Sequence, residues 1–151
     1  MSDSFEQTIE IFAPIDKVWH ALTDHQQFGT WFQVDLHEPF ETNQITHGVI
    51  THPAAPGLRW VSITLAKDAP DYFALRWPHK DDMQLDPEDM LKHTTLAEFH
   101  LREQEGCTLL RLVESGFDQL PKSEQAAAFQ NNFRGWQEQL QNIKNYTERL
   151  E

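Results

Sequence analysis

The chain has 151 residues, 24 acidic and 12 basic side chains, a net charge of -12 and 39% hydrophobic content. That length suits one domain, residues 1–151, around one core that needs no metal or disulfide to support it. An excess of one sign this large excludes nucleic acid and anionic membrane as partners, because both require a basic footprint.

Five Trp and ten Phe offset the modest hydrophobic content, since each buried ring removes a large area from water. Cys107 is the sole cysteine, so no internal disulfide forms. Residues 1–6 have neither the basic nor the apolar region of a signal peptide, and no apolar run approaches a membrane span. The expected location is the cytoplasm.

Residues 5–12 alternate, with Phe5, Ile9 and Ile11 on one side, and predict a first strand. Pro14 is placed to open a helix in which Ile15, Val18, Trp19 and Leu22 recur at helical spacing. Asp24 can cap a second short helix that ends near Trp31 and Phe32. From residue 33 the pattern becomes β, with strands expected at 33–36, 44–51, 58–66, 71–77, 94–104 and 107–114. Turns at 52–57, 67–70 and 105–106 suit consecutive antiparallel hairpins. The acidic stretch 78–93, with two prolines, reads as a long loop or lid. Finally Ser123 offers an N-cap, and Ala126, Phe129, Phe133, Trp136, Leu140, Ile143 and Leu150 form one apolar stripe on a helix roughly 40 Å long. This order predicts an α+β helix-grip fold: a curved antiparallel sheet of six or seven strands around the terminal helix, with two short helices after strand 1.

Several of these stretches carry a family likeness. Val18-Trp19-His20-Ala21-Leu22-Thr23-Asp24 and Trp31-Phe32 resemble the N-terminal signature of the START-like, or SRPBCC, superfamily. Val113-Glu114-Ser115-Gly116-Phe117, Leu120-Pro121 and Asn132-Phe133-Arg134-Gly135-Trp136 with Leu140 resemble its Aha-type branch, the homologues of the activator of the ninety-kilodalton heat-shock protein's ATPase. Trp77, Thr94-Thr95, Phe99 and Leu101 extend the likeness into the middle. The resemblance implies the helix-grip fold and a protein that binds or sequesters a small apolar or aromatic molecule. It also implies an alternative, a chaperone partner in the stress response. The domain that makes the activator's main chaperone contact has no counterpart in these 151 residues, so ATPase activation is not expected.

The residues that could hold a ligand are the aromatics Trp31, Trp60, Phe73, Trp77, Phe99, Phe117, Phe129, Phe133 and Trp136, because large rings between a helix and a curved sheet tend to leave gaps. Glu114 and Asn132 join them. Alternation puts Glu114 on the same side as Leu110 and Leu112, facing the helix, where its carboxyl would be desolvated. It could anchor a ligand or act as general acid or base; alternatively it closes the Ser115-Gly116 turn through backbone hydrogen bonds. Asn132 could bond that turn or a ligand. Gly135, in mid-helix, is expected to admit a backbone or a ring at close approach.

No metal or cofactor is expected. The eight histidines form no zinc spacing, and His47 and His52, five apart, are a weak pair. Asp81, Asp82, Asp86, Glu88 and Asp89 lack the EF-hand glycine and terminal glutamate. Ser115 and Cys107 lack a nucleophile's setting, so no catalytic residue is assigned. A binding module is favoured over a protein-interaction module, and both over a cyclase- or hydrolase-type enzyme. Either a monomer or a homodimer is compatible, since Phe and Trp make poor coiled-coil seams.

Overall fold

Eleven elements follow one another in the computed structural model, which describes residues 3–53, 55, 57–78 and 93–150. Strand β1 (Ser4–Ile11) runs into helices α1 (Ile15–Thr23) and α2 (His25–Phe32). Six strands come next: β2 (Val34–Leu36), β3 (Ile45–Ile50), β4 (Arg59–Asp68), β5 (Tyr72–Pro78), β6 (Thr94–Gln104) and β7 (Cys107–Ser115). A short 3-10 turn (Phe117–Gln119) leads to the 25-residue helix α3 (Gln125–Arg149). The expected acidic loop lies, but for Pro78 and His93, outside the described residues.

All strand pairs are antiparallel in one seven-stranded sheet of order β1-β7-β6-β5-β4-β3-β2. Consecutive strands are neighbours throughout, except that β1 crosses to the far side of β7, with Ser4 opposite Ser115 and Ile11 opposite Thr108. A bulge between Thr64 and Ala66 adds bend to β4. The sheet curves, and α3 lies against β1, α1 and α2, its contacts concentrated on that side. This is the expected α+β helix-grip arrangement.

Local chemistry explains the joints. Asp24 accepts the Gln26 N–H at 3.0 Å as N-cap of α2. The Trp31 indole N–H donates to the Ala21 carbonyl at 2.8 Å and ties the two short helices together. Gly48 exists for contact: a Cβ there would run into the Asp35 carbonyl oxygen.

Three expectations for the long helix are corrected. Its N-cap is Glu124 in a helical conformation, not Ser123, and no side chain caps it, because a turn at 122–124 already leads into the helix. Its buried residues are Trp136, Leu140, Ile143 and Thr147; Ala126 is exposed, Phe133 is 36% exposed and Leu150 lies past the helix end. Gly135 faces outward, with nothing among the described residues within 4 Å of where a Cβ would sit, so close approach is not its reason.

Candidate functional site

The inner face of the sheet and one side of α3 meet at Glu114. Along β7 the buried positions include Thr108, Leu110, Leu112 and Glu114 on one register, so the alternation that carries the leucines inward carries the carboxylate too. The same logic on β6 turns Thr95 inward with Ala97 and Phe99. On β5 it turns Trp77, paired across the strands with Thr95, inward as well. From the opposite side, Asn132 and Trp136 project from successive turns of α3, an i,i+4 pair on one face.

These side chains converge on a single carboxylate with no exposed surface. Glu114 Oε2 accepts from the Thr95 hydroxyl at 2.6 Å, the Asn132 amide at 2.8 Å and the Trp77 indole at 3.0 Å. Glu114 Oε1 accepts from the Trp136 indole at 2.9 Å. Trp77 N–H also reaches Thr95 Oγ1 at 3.1 Å, which directs the hydroxyl proton onward to the carboxylate. Indole and amide N–H groups can only donate, so this set is built for an acceptor. Burial pushes the Glu114 carboxyl above its ordinary value; bonds from Thr95, Trp77, Asn132 and Trp136 pull the other way without cancelling it.

Aromatic rings enclose the network. Trp77 lies 5.5 Å from Trp136 and 5.2 Å from Trp60, centroid to centroid, and Phe99 lies 5.5 Å from Trp136. Phe32 packs against Trp60, Trp77 and Trp136. Such edge and tilted contacts are favourable geometries for rings. Trp77, Phe32 and Asn132 remain half-buried, on the side where β5 ends.

The sequence-predicted residues fall into four groups. Trp77, Phe99, Glu114, Asn132 and Trp136 come together. Trp60 touches this centre, and Trp31 packs behind it through Phe28, 4.7 Å away. Phe73 sits deeper, between Phe40 and Phe99. Phe117 and Phe129 instead cluster with Phe5 beside β1, and Phe133 leans on Phe5 from outside, 5.3 Å away. At the Ser115-Gly116 turn, which Glu114 was an alternative candidate to close, Asp3 accepts the Gly116 N–H. Thr95, Phe32, Phe28 and Phe40 were missed as site or core partners. A threonine on the inward register of a strand between apolar residues was the available signal for Thr95.

Other candidates lie apart. His47 pairs with Glu38 at 3.1 Å and His52 with Glu138 at 3.6 Å. Among the described residues no group of three His, Cys, Asp or Glu is placed to hold a metal ion. Cys107 is buried at the β6–β7 turn, its thiol 3.9 Å from Gln104 Oε1. No helix among the described residues is long and apolar enough to cross a membrane.

Comparison with known proteins adds a family match and structural neighbours. The profile of the family described as Activator of Hsp90 ATPase homolog 1-like protein matches residues 12–148. No curated protein matches. A solved Mesorhizobium loti protein is 19% identical with a TM-score of 0.76, covering 98% of each chain. An Arthrobacter aurescens protein is 18% identical with a TM-score of 0.77, over 98% of this chain and 87% of that one. DynU16, from the dynemicin biosynthetic locus, is 20% identical with a TM-score of 0.71, over 99% of this chain and 48% of that one. At these identities the likeness is one of fold.

Proposed function

The chain belongs to the family of Activator of Hsp90 ATPase homolog 1-like proteins, and on that premise we propose that it binds a small apolar or aromatic molecule without transforming it. The observation that carries this reading is the fully buried Glu114 carboxylate, gathered by donors from two strands and a helix beside a bank of rings. Burying a carboxyl among neutral donors costs stability that an apolar side chain would not, and functional sites are where such costs are retained. The ligand rests on the half-buried Trp77 and Phe32, and its polar group meets the network at Asn132. The dynemicin-locus origin of the neighbour DynU16 is in keeping with small-molecule handling. We take the domain to act in the cytoplasm.

The test is a thermal-shift screen of the purified chain against a panel of hydrophobic and aromatic compounds. Stabilisation by a binder is expected to reach about 2.7 kcal/mol at a hundredfold excess over Kd, and to be lost in Trp77→Ala. A panel in which no compound raises Tm sinks the reading.

Family membership also supports a second reading, a chaperone-interaction module. Pull-down of the ninety-kilodalton chaperone with its ATPase rate measured alongside decides that case.

A further inference from the structure

The outer face of the sheet holds an arrangement that the Glu114 site does not use. Ile45, Ile63, Arg76 and Leu96 stand side by side across β3, β4, β5 and β6, each directly opposite the next. Their chain neighbours Thr46, Ser62, Leu75 and Ala97 are buried in the core, so this row points away from it. Leu65, at the bulge, is 38% exposed and extends the apolar surface.

Arg76 is half-buried at the centre of that row, and no described residue gives it a hydrogen bond or an ion pair. Arg59, outward on β4 opposite Val49, is likewise unpaired among the described residues and exposed. Two other polar pairs on the same face, nearer β1, are closed. Arg111 holds Glu6 at 2.8 Å, and the Tyr72 hydroxyl donates to Glu98 at 2.6 Å; burial, helped by that bond, pushes the Tyr72 pKa up to about 12. In the half of the face formed by β3–β5, Arg76 and Arg59 thus have no partner among the described residues, although His47 there is held by Glu38; on β6 the exposed Arg102 is likewise unpaired among them. An arginine lies well along apolar surface through its stem, and its planar head offers paired donors that fit a carboxylate.

We propose that this half of the outer face is a docking surface for a protein segment carrying carboxylates interleaved with apolar side chains. Charge complementarity selects that occupant: two guanidinium groups, unpaired among the described residues, amid apolar side chains on a chain of net charge -12. A second copy fits poorly, because a two-fold contact sets the arginine patch against itself. This inference stands apart from the ligand reading, since the row lies on the opposite face of the sheet from Glu114.

The probe is a labelled amphipathic peptide with leucines on one face flanked by aspartates, and its counterpart with lysine in place of each aspartate. Fluorescence anisotropy with the purified chain is expected to show binding of the acidic peptide only, weakened by salt. Arg76→Glu is expected to reduce affinity at least about tenfold, as for a central interface arginine. Arg59→Glu, at an exposed position that leaves packing intact, is expected to reduce it as well, with circular dichroism verifying both folds. Amide shifts should centre on Ile45, Ile63 and Leu96. The proposal is overturned by no binding, by equal binding of the lysine peptide, by unchanged affinity in Arg59→Glu, or by shifts centred on Trp77 and Asn132. Self-association in sedimentation that Arg76→Glu abolishes would assign the face to a second copy and overturn it too.

Discussion

Glu114 is a carboxyl whose two states differ in fit as well as in charge. Ionised, it accepts every donor around it; protonated, it sheds the desolvation cost but must send its proton toward Thr95, whose own hydroxyl proton then needs another acceptor. With the folded pKa raised above the ordinary 4.5, the folded state holds this proton more tightly than the unfolded one. The stability so contributed is present in full below the unfolded value and is lost as pH rises through the folded value. Wild type should accordingly lose stability relative to Glu114→Gln as pH climbs from about 4 toward neutrality. Urea denaturation of both proteins at stepped pH checks this, and a constant difference between them contradicts it. The inward direction of Glu114 was legible, because alternation with Leu110 and Leu112 fixes it. Its partners were not: nothing local joins Trp77, Thr95 and Trp136, which lie 37, 19 and 22 positions away.

Elements were the most readable level, since strand alternation and helical spacing are local properties. Each of the six expected later strands is present with ends displaced by at most two residues, β6 at its expected bounds, and Asp24 caps α2 as its chemistry required. The long helix was misread wherever the answer depended on its surroundings. Periodicity gave a stripe, but packing against β1, α1 and α2 selected which residues it buries, and left Phe133 at the margin and Gly135 in the open. An outward glycine in mid-helix costs helix propensity for no packing return, so Gly135→Ala should stabilise the fold by up to about 1 kcal/mol. Gly48→Ala is the opposite case: the methyl meets the Asp35 carbonyl, and the loss should be about 2 kcal/mol or more. Chemical denaturation of the two variants measures both signs, and destabilisation by Gly135→Ala would show that its outward face is occupied.

At the scale of the whole molecule, a net charge of -12 repels itself on a compact surface. Moderate salt should therefore raise Tm relative to low salt, as far as screening acts on exposed charges; a scanning calorimetry series in sodium chloride reads this directly, and a falling Tm contradicts it. The sheet order has a separate consequence, one of timing. Among the described strands β1 pairs with β7 alone, and Asp3 reaches the Gly116 and Asp118 amides across 113 and 115 positions. As the chain leaves the ribosome, β1 emerges ahead of its partner and stays without it until β7 follows. Phe5, Ile9 and Ile11 are made long before the surface they will cover. Closure of that longest loop belongs late in folding, where non-local pairing is slow and exposed strand edges invite aggregation. A strand made before the other six thus joins the sheet after them.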